Sequence, residues 1–301
     1  MIAYLISAYR DTRHLSQLVA ALDVDSDFYV HIDANVDDTQ FRSILPEKVH
    51  FVPRHAVGWG GFEQVAYQYE LIKAAVDSRR PYSHLVCLSG QDYPLWSNAR
   101  IHRFFNENRE REFIGGFNIT RGGDAGQLSK IVHLHPFRDL WCGSRWLSNK
   151  LAKVSRIVLA SLGVHRRPQV RINGVLCDVY FGSDYWALTL DCARYVKQVF
   201  EEDASLRRYF KMAFAPSELC IHTIVYNSLF GKKAMLHEGS YPGLSALTPL
   251  HYIYYHGCVK KLTLDYWQDL LEADKMFCRK VETGISDELL ARIDQSRSGD
   301  A

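Results

Sequence analysis

SHLVCLSGQDYPLWS, residues 83–97, is a short apolar run that stops in a polar turn. His84–Leu88 has the packed apolar character of a strand covered on both faces. Gly90 allows a sharp reversal where the strand ends. Pro94 ends any ladder because it has no N–H to donate, and a helix starts near Ser97. In open α/β sheets, ligands bind beyond the carboxyl ends of the strands. The Ser89-Gly90-Gln91-Asp92 turn is therefore either the floor of a small-molecule site or an ordinary strand-to-helix loop, and this stretch alone does not separate the two.

Outward from that strand the same alternation repeats. Ile2–Ala8 and Phe28–Ile32 have strand length, with Leu15, Leu18, Val19 and Leu22 at helical spacing between them. Val49–Val52 reads as a third strand and Gly58-Trp59-Gly60-Gly61 as a turn. Phe62, Val65, Ala66, Tyr69, Ile72 and Val76 then form one face of a long amphipathic helix. Ile101, Phe104 and Phe105 mark another helix, and Phe113-Ile114-Gly115-Gly116 another strand end. This alternation over the first 116 residues predicts an α/β fold with a Rossmann-type, mostly parallel central sheet flanked by helices. Further on, Gln127–Leu140 reads as an extended excursion and Leu147–Leu162 as a helix with basic residues on one side. Val179–Thr189 reads as aromatic strands. Pro216 opens a helix carrying Leu219, Ile221, His222 and Val225, and MFCRKV (276–281) is a short strand before a terminal helix. No repeat or low-complexity linker divides the chain, so one domain over residues 1–301 is expected.

Composition narrows the classes. With 47% hydrophobic and 23% charged residues, the chain has a globular protein's balance and the length for a substantial core. A net charge of +2 without long runs of one sign gives no basis for nucleic-acid binding. The start shows no basic region and cleavage site of a signal peptide, and no apolar run has membrane-spanning length. Seven scattered cysteines, never at C-x-x-C spacing, argue against a disulfide framework and a zinc site, and for a reducing, cytosolic setting.

Three turns near early strand ends are polar or glycine-rich: His31-Ile32-Asp33, Trp59-Gly60-Gly61 and Ser89-Gly90-Gln91-Asp92. A parallel sheet lines them along one edge. There Asp33 offers a carboxylate for a ribose or base, Trp59 an aromatic plane and Gly60 close backbone approach, with Ser89, Gln91 and Asp92 as polar lining. That set makes a nucleotide pocket, although neither GxGxxG nor a Walker A pattern occurs. The Asp-x-Asp pattern falls in Asp23-Val24-Asp25-Ser26-Asp27, at the opposite end of the sheet, and reads as a solvated loop, so no metal is expected. If the pocket takes a nucleotide whose diphosphate is released, a site without a metal needs fixed cations to hold that charge. Arg279-Lys280 are the candidates, with that role and a surface role both open, whereas Lys260-Lys261 read as surface lysines. Glu218 is the best general base. A base must be ionised at working pH, and a helix's first turn favours that form, although a glutamate there is also ordinary helix chemistry. His31, His84 and His222 read as structural histidines.

Taken together, these residues resemble the core-2/I-branching β-1,6-N-acetylglucosaminyltransferase family, glycosyltransferase family 14, which also holds the peptide xylosyltransferases. The matching blocks are HID at 31–33, VHFVPRHAVGWGGFEQV at 49–65, HLVCLSGQDYPLWS at 84–97, GSDYWALTLDCARYV at 182–196, PSELCIHTIVYNS at 216–228, and MFCRKV with DELLARID at 276–294. The resemblance implies a GT-A-like fold and an inverting, metal-independent transfer from a UDP-sugar to a glycan or lipid-linked glycan. GlcNAc is the first expected donor sugar, with xylose or glucuronate as alternatives. The alternative from another class is a glycan- or nucleotide-binding homologue that keeps the fold without catalysis, which His251 favours and Glu218 opposes. The resemblance also implies that Asp33 lies near the nucleoside, that Glu218 is the base and that Lys280 contacts the diphosphate. The aromatic pair Tyr185-Trp186 is the acceptor-facing candidate. His251 stands where the family often has a phosphate-binding arginine, which makes it a donor-site candidate in neutral or protonated form, and Ser217 replaces the usual aspartate. The anchor, stem and disulfides of animal members are not seen, which suits a bacterial cytosolic enzyme working at the inner face of the membrane.

Overall fold

The protein is described by a computed structural model covering residues 1–140 and 143–299, with Arg145 described by its backbone; Cys142 lies outside the described residues. Strands β1 (Ile2–Ala8), β2 (Ser26–Ile32), β3 (Val49–Phe51) and β4 (His84–Ser89) run parallel. The antiparallel β10 (Ala187–Thr189) completes a central sheet of order β10-β4-β1-β2-β3. Ser7 is level with both His31 and Ser89, so the three middle strands finish together.

Side chains alternate across this sheet, and both faces are covered. Ile2, Tyr4, Ile6 and Ala8 pack with Leu15, Leu18, Ile101 and Phe105 on one side, while Ala3 and Leu5 pack with Leu71, Ile72, Val196 and Leu206 on the other. Two-sided burial is why the strands read as continuous apolar runs.

Smaller sheets extend the carboxyl edge. β6 (Gly115–Asn118) lies between β9 (Tyr180–Gly182) and β11 (Met235–His237). β15 (Phe277–Arg279) lies between β5 (Asp92–Pro94) and β12 (His251–Ile253), in a register that sets Arg279 opposite Asp92. The last strand of the chain is thereby brought to the central turn. β7 (Gln169–Ile172) with β8 (Val175–Asp178), and β13 (Tyr255–His256) with β14 (Cys258–Val259), are hairpins.

Two segments differ from expectation. Much of the 127–140 excursion is helical: helix Ala125–Val132 begins with a capping box in which Asp124 and Gln127 bond each other's backbone. The helix expected from Pro216 is split into a 3-10 turn, Pro216–Glu218, and a helix, Cys220–Tyr226, because Leu219 leaves helical geometry at φ −123°. Among the described residues the cysteines are free, and no helix is long and apolar enough to cross a membrane.

Candidate active site

Beyond the level strand ends, the Ser89–Asp92 turn folds hard against β1. Gly90 N donates to Ser7 O at 2.8 Å, and a Cβ on Gly90 would come within 2.8 Å of the Ala8 Cβ, so only glycine fits. Asp92 points inward. Its carboxylate accepts from Ser89 N at 2.7 Å and from Arg279 Nη1 at 2.8 Å, and lies 3.3 Å from His251 Nε2. Burial pushes this carboxyl up, but Arg279 and His251 outweigh it and hold Asp92 below the usual carboxylate range.

Asp92 and His251, expected to touch a nucleotide sugar, have no exposed side-chain surface. His251 is turned inward between Tyr185 (4.8 Å) and Phe277 (5.0 Å). The pair is instead the buried anchor of Arg279.

Arg279 keeps an outer edge, and Tyr185 covers its other side with the guanidinium 4.7 Å from the ring. Arg10, from the end of β1, reaches the same place: its Nη2 donates to Gln91 Oε1 at 3.2 Å, and its Nη1 lies 3.8 Å from Glu282. Lys280 completes the group. Partial burial, then the charges of Arg10 and Arg279, lower the pKa of its ammonium. The two guanidiniums repel the ammonium, so an anion placed among the three cations would relieve that repulsion. Gln91 is buried and Ser89 Oγ accepts from Gln91 N at 3.2 Å, so these two residues shape the floor. At the next strand end, Asp33 Oδ1 accepts from Asn35 N at 2.9 Å and Val57 N at 3.2 Å, which ties the carboxylate to the loop that leads to Trp59.

Asp184, next to Tyr185 in the chain, begins a second cluster. Gln68 Nε2 donates to it at 3.2 Å and Ser217 hydrogen-bonds it. Burial raises the Asp184 carboxyl, and these bonds offset part of the rise. Glu218 lies on the turn launched by Ala215, which is left-handed at φ 49°. The 58–61 loop holds that turn: Ala215 N donates to Gly60 O at 3.0 Å, and a Cβ on Gly60 would strike the Phe214 ring at 2.7 Å. Trp59 meets the same ring edge-on at 5.2 Å and is 74% exposed.

The Glu218 side chain is 30% exposed and lies 3.3 Å from Lys130 Nζ. Lys130 also stands 3.9 Å over Phe181. Burial pushes Glu218 up to about 7, with Lys130 pulling against the rise and Asp184 adding to it. Glu218 sits in the 3-10 turn just ahead of helix Cys220–Tyr226, and not in the first turn of a helix as expected. A carboxyl near neutrality is poised for proton transfer. Since Lys130 favours the ionised form, Lys130→Met should raise the Glu218 pKa, as followed by carboxyl NMR titration; an unmoved titration would uncouple the two residues.

The remaining expected residues find plain places. Trp186 is wholly buried, its carbonyl accepting from Cys87 N at 2.8 Å, so it offers an acceptor no surface; Tyr185 sits with the cations. The aspartates of the Asp-x-Asp pattern are paired within the chain: Asp23 with Lys48, Asp25 with the terminal amine at 2.8 Å and Asp27 with Arg80 at 2.7 Å. A recess of about 650 Å³ borders Asp25, but it lies at the amino ends of the strands, away from this chemistry. His31 accepts from His55 N at 3.0 Å and stacks on Tyr67, and burial lowers it to about 3. His84 donates to Arg111 O at 3.1 Å, and His222 is fully buried, both held neutral by burial.

Arg10, Lys130 and Asp184 escaped the sequence reading. Arg10 was findable, since it follows a parallel strand at the carboxyl end. Lys130 was findable through the Asp124-x-x-Gln127 helix start. Asp184 had no local signal.

A parallel-dominated sheet, covered on both faces and carrying its polar turns at the carboxyl ends, is a GT-A-like architecture. The chain belongs to the Core-2/I-Branching enzyme family, whose model matches residues 2–241. Its relatives include xylosyltransferase 2 of Rattus norvegicus, 25% identical over 239 residues covering 75% of this chain and 24% of that protein. Another is the N-acetyllactosaminide beta-1,6-N-acetylglucosaminyl-transferase of Homo sapiens, 24% identical over 208 residues covering 65% of this chain and 46% of that protein. The chain thus spans about a quarter of the first relative's length and under half of the second's. The family match ends before β12 and β15, so the arrangement of His251, Arg279 and Lys280 rests on the structure.

Proposed function

We propose that this protein transfers a sugar from a UDP-sugar to a glycan hydroxyl by a single inverting displacement without a metal. The observation that carries this reading is Glu218, raised to about 7 beside Lys130, with Arg10, Arg279 and Lys280 gathered on the far side of Asp184 and Tyr185. Glu218 takes the proton of the acceptor hydroxyl as its oxygen bonds the anomeric carbon. The sugar–phosphate bond breaks, and its electron pair leaves on the diphosphate, where the three cations stabilise the charge. In this reading they do the work a divalent ion does elsewhere. Asp33 and Trp59 flank the nucleoside. GlcNAc, β-linked in the product, is the first donor to test, because one group of relatives carries that activity in its name; xylose is the second, for the same reason. Glucuronate is the third.

Thermal unfolding with UDP, UDP-GlcNAc, UDP-xylose and UDP-glucuronate, each with EDTA or manganese, tests donor and metal together. A ligand at a hundred times its Kd adds about 2.7 kcal/mol, which should raise Tm by roughly 5 °C. A rise with one UDP-sugar, unchanged by EDTA, is expected. A rise only with manganese would overturn metal independence, and no rise with any nucleotide would overturn the donor site.

A further inference from the structure

Helix Arg145–Ser161 is built differently from the rest of the molecule. It leans on the body through Ser148 and Ala152 and turns its other side outward. That outward side is apolar: Trp146 is 68% exposed, Ile157 50%, and Leu147, Leu151, Val154 and Val158 are exposed with them. At one hundred degrees per residue these six fall on one continuous face. Leu162, 71% exposed, extends the face beyond the helix end.

Charge accompanies the face. Between Asp139 and Asp178 the chain holds seven Lys and Arg and no Asp or Glu. Lys150 rises within the apolar face with its amine 4.7 Å over the Trp146 ring. Lys153 and Arg156 line its edge, where they form, with Lys130, Arg138 and Phe214, the wall of a cleft of about 410 Å³. Lys130 is the residue that meets Glu218, so the cleft opens beside the candidate base.

We infer that this helix lies flat on an anionic lipid bilayer and brings the cleft to the headgroups. A partner protein covering the apolar face would bury the Lys150 ammonium at its centre, at a high desolvation cost. A bilayer imposes no such cost, because a lysine within an interfacial face extends its amine to the phosphates while its stem stays among acyl chains. An exposed Trp suits that boundary, and an acid-free, basic segment matches anionic lipid. With 17 residues the helix is about 25 Å long and lies in the plane of the membrane. Resting on the proposed transfer reaction, the consequence is that the acceptor is carried by a lipid, its hydroxyl presented to Glu218 through the basic cleft.

Sedimentation with phosphatidylcholine vesicles, with and without phosphatidylglycerol, tests the docking. The intact chain should bind the anionic vesicles and release them as salt rises. Trp146→Ser/Ile157→Ser should weaken binding at least tenfold, and Lys150→Gln/Lys153→Gln by roughly fivefold per lysine. The apolar pair is exposed, so its variant should keep the Tm and the UDP response of the parent. No binding by the intact chain, or undiminished binding by the apolar variant, would overturn the docking. So would a dimer in solution that the apolar variant dissolves, which would make the face a contact between two copies. Vesicle binding without any nucleotide response would uphold the docking and remove the transfer reading instead.

Discussion

Replacing Glu218 with Gln is expected to lower kcat by about a hundred- to ten-thousand-fold, the usual contribution of a positioned base. The Tm rise with UDP should be nearly unchanged, because Glu218 stands with Lys130 and Asp184 and not among the three cations. The same variant reports on the cause of the shift. A carboxyl whose folded pKa is raised contributes stability that is complete below its ordinary value of 4.5 and is lost as pH rises through about 7. Glutamine does not titrate and escapes that loss. The variant should therefore melt higher than the parent around pH 8 and lose that advantage as pH falls toward 4. Unchanged turnover would remove Glu218 as the base. A melting difference that stays constant with pH would mean the carboxyl is not raised at all.

The strands were legible in the sequence for one physical reason. β1, β2 and β4 are covered on both faces, so their side chains are apolar on both sides and the runs are unmistakable. The polar turns at their ends followed from the parallel arrangement. What the sequence hid is set by long-range packing. Glu218 was visible as a carboxylate after Pro216, but its raised pKa comes from burial and from Asp184, and neither shows in the local residues. His251 was visible at a strand, but not the direction in which its ring points; only the pairing of β12 with β15 turns it onto Asp92. Ser217 is a comparable case. As a hydroxyl it donates to Asp184, which an ionised aspartate in its place would repel.

Arg279 and Lys280 are neighbours in sequence, yet their alanine variants should fail in different ways. Arg279 is bonded to Asp92, whose side chain has no access to water. Removing the guanidinium leaves a buried carboxylate with His251, and burial disfavours the charged form of that imidazole. Arg279→Ala should accordingly cost about 3–5 kcal/mol of stability before any ligand is added. Asp92→Asn in the same background should recover part of that loss, since the stranded charge is gone. Lys280 carries no such structural duty in this reading. Its ammonium is depressed by burial and by Arg10 and Arg279, so an incoming diphosphate relieves repulsion as well as adding a bond. Lys280→Ala should keep or slightly raise the Tm of the unliganded chain and weaken UDP binding by roughly ten- to a hundredfold, the worth of one charge-assisted hydrogen bond. Calorimetric titration with UDP and melting without it separate the two effects. Equal UDP affinity in Lys280→Ala and the parent would take Lys280 out of the donor site. An Arg279→Ala chain as stable as the parent would show that Asp92 is anchored without it.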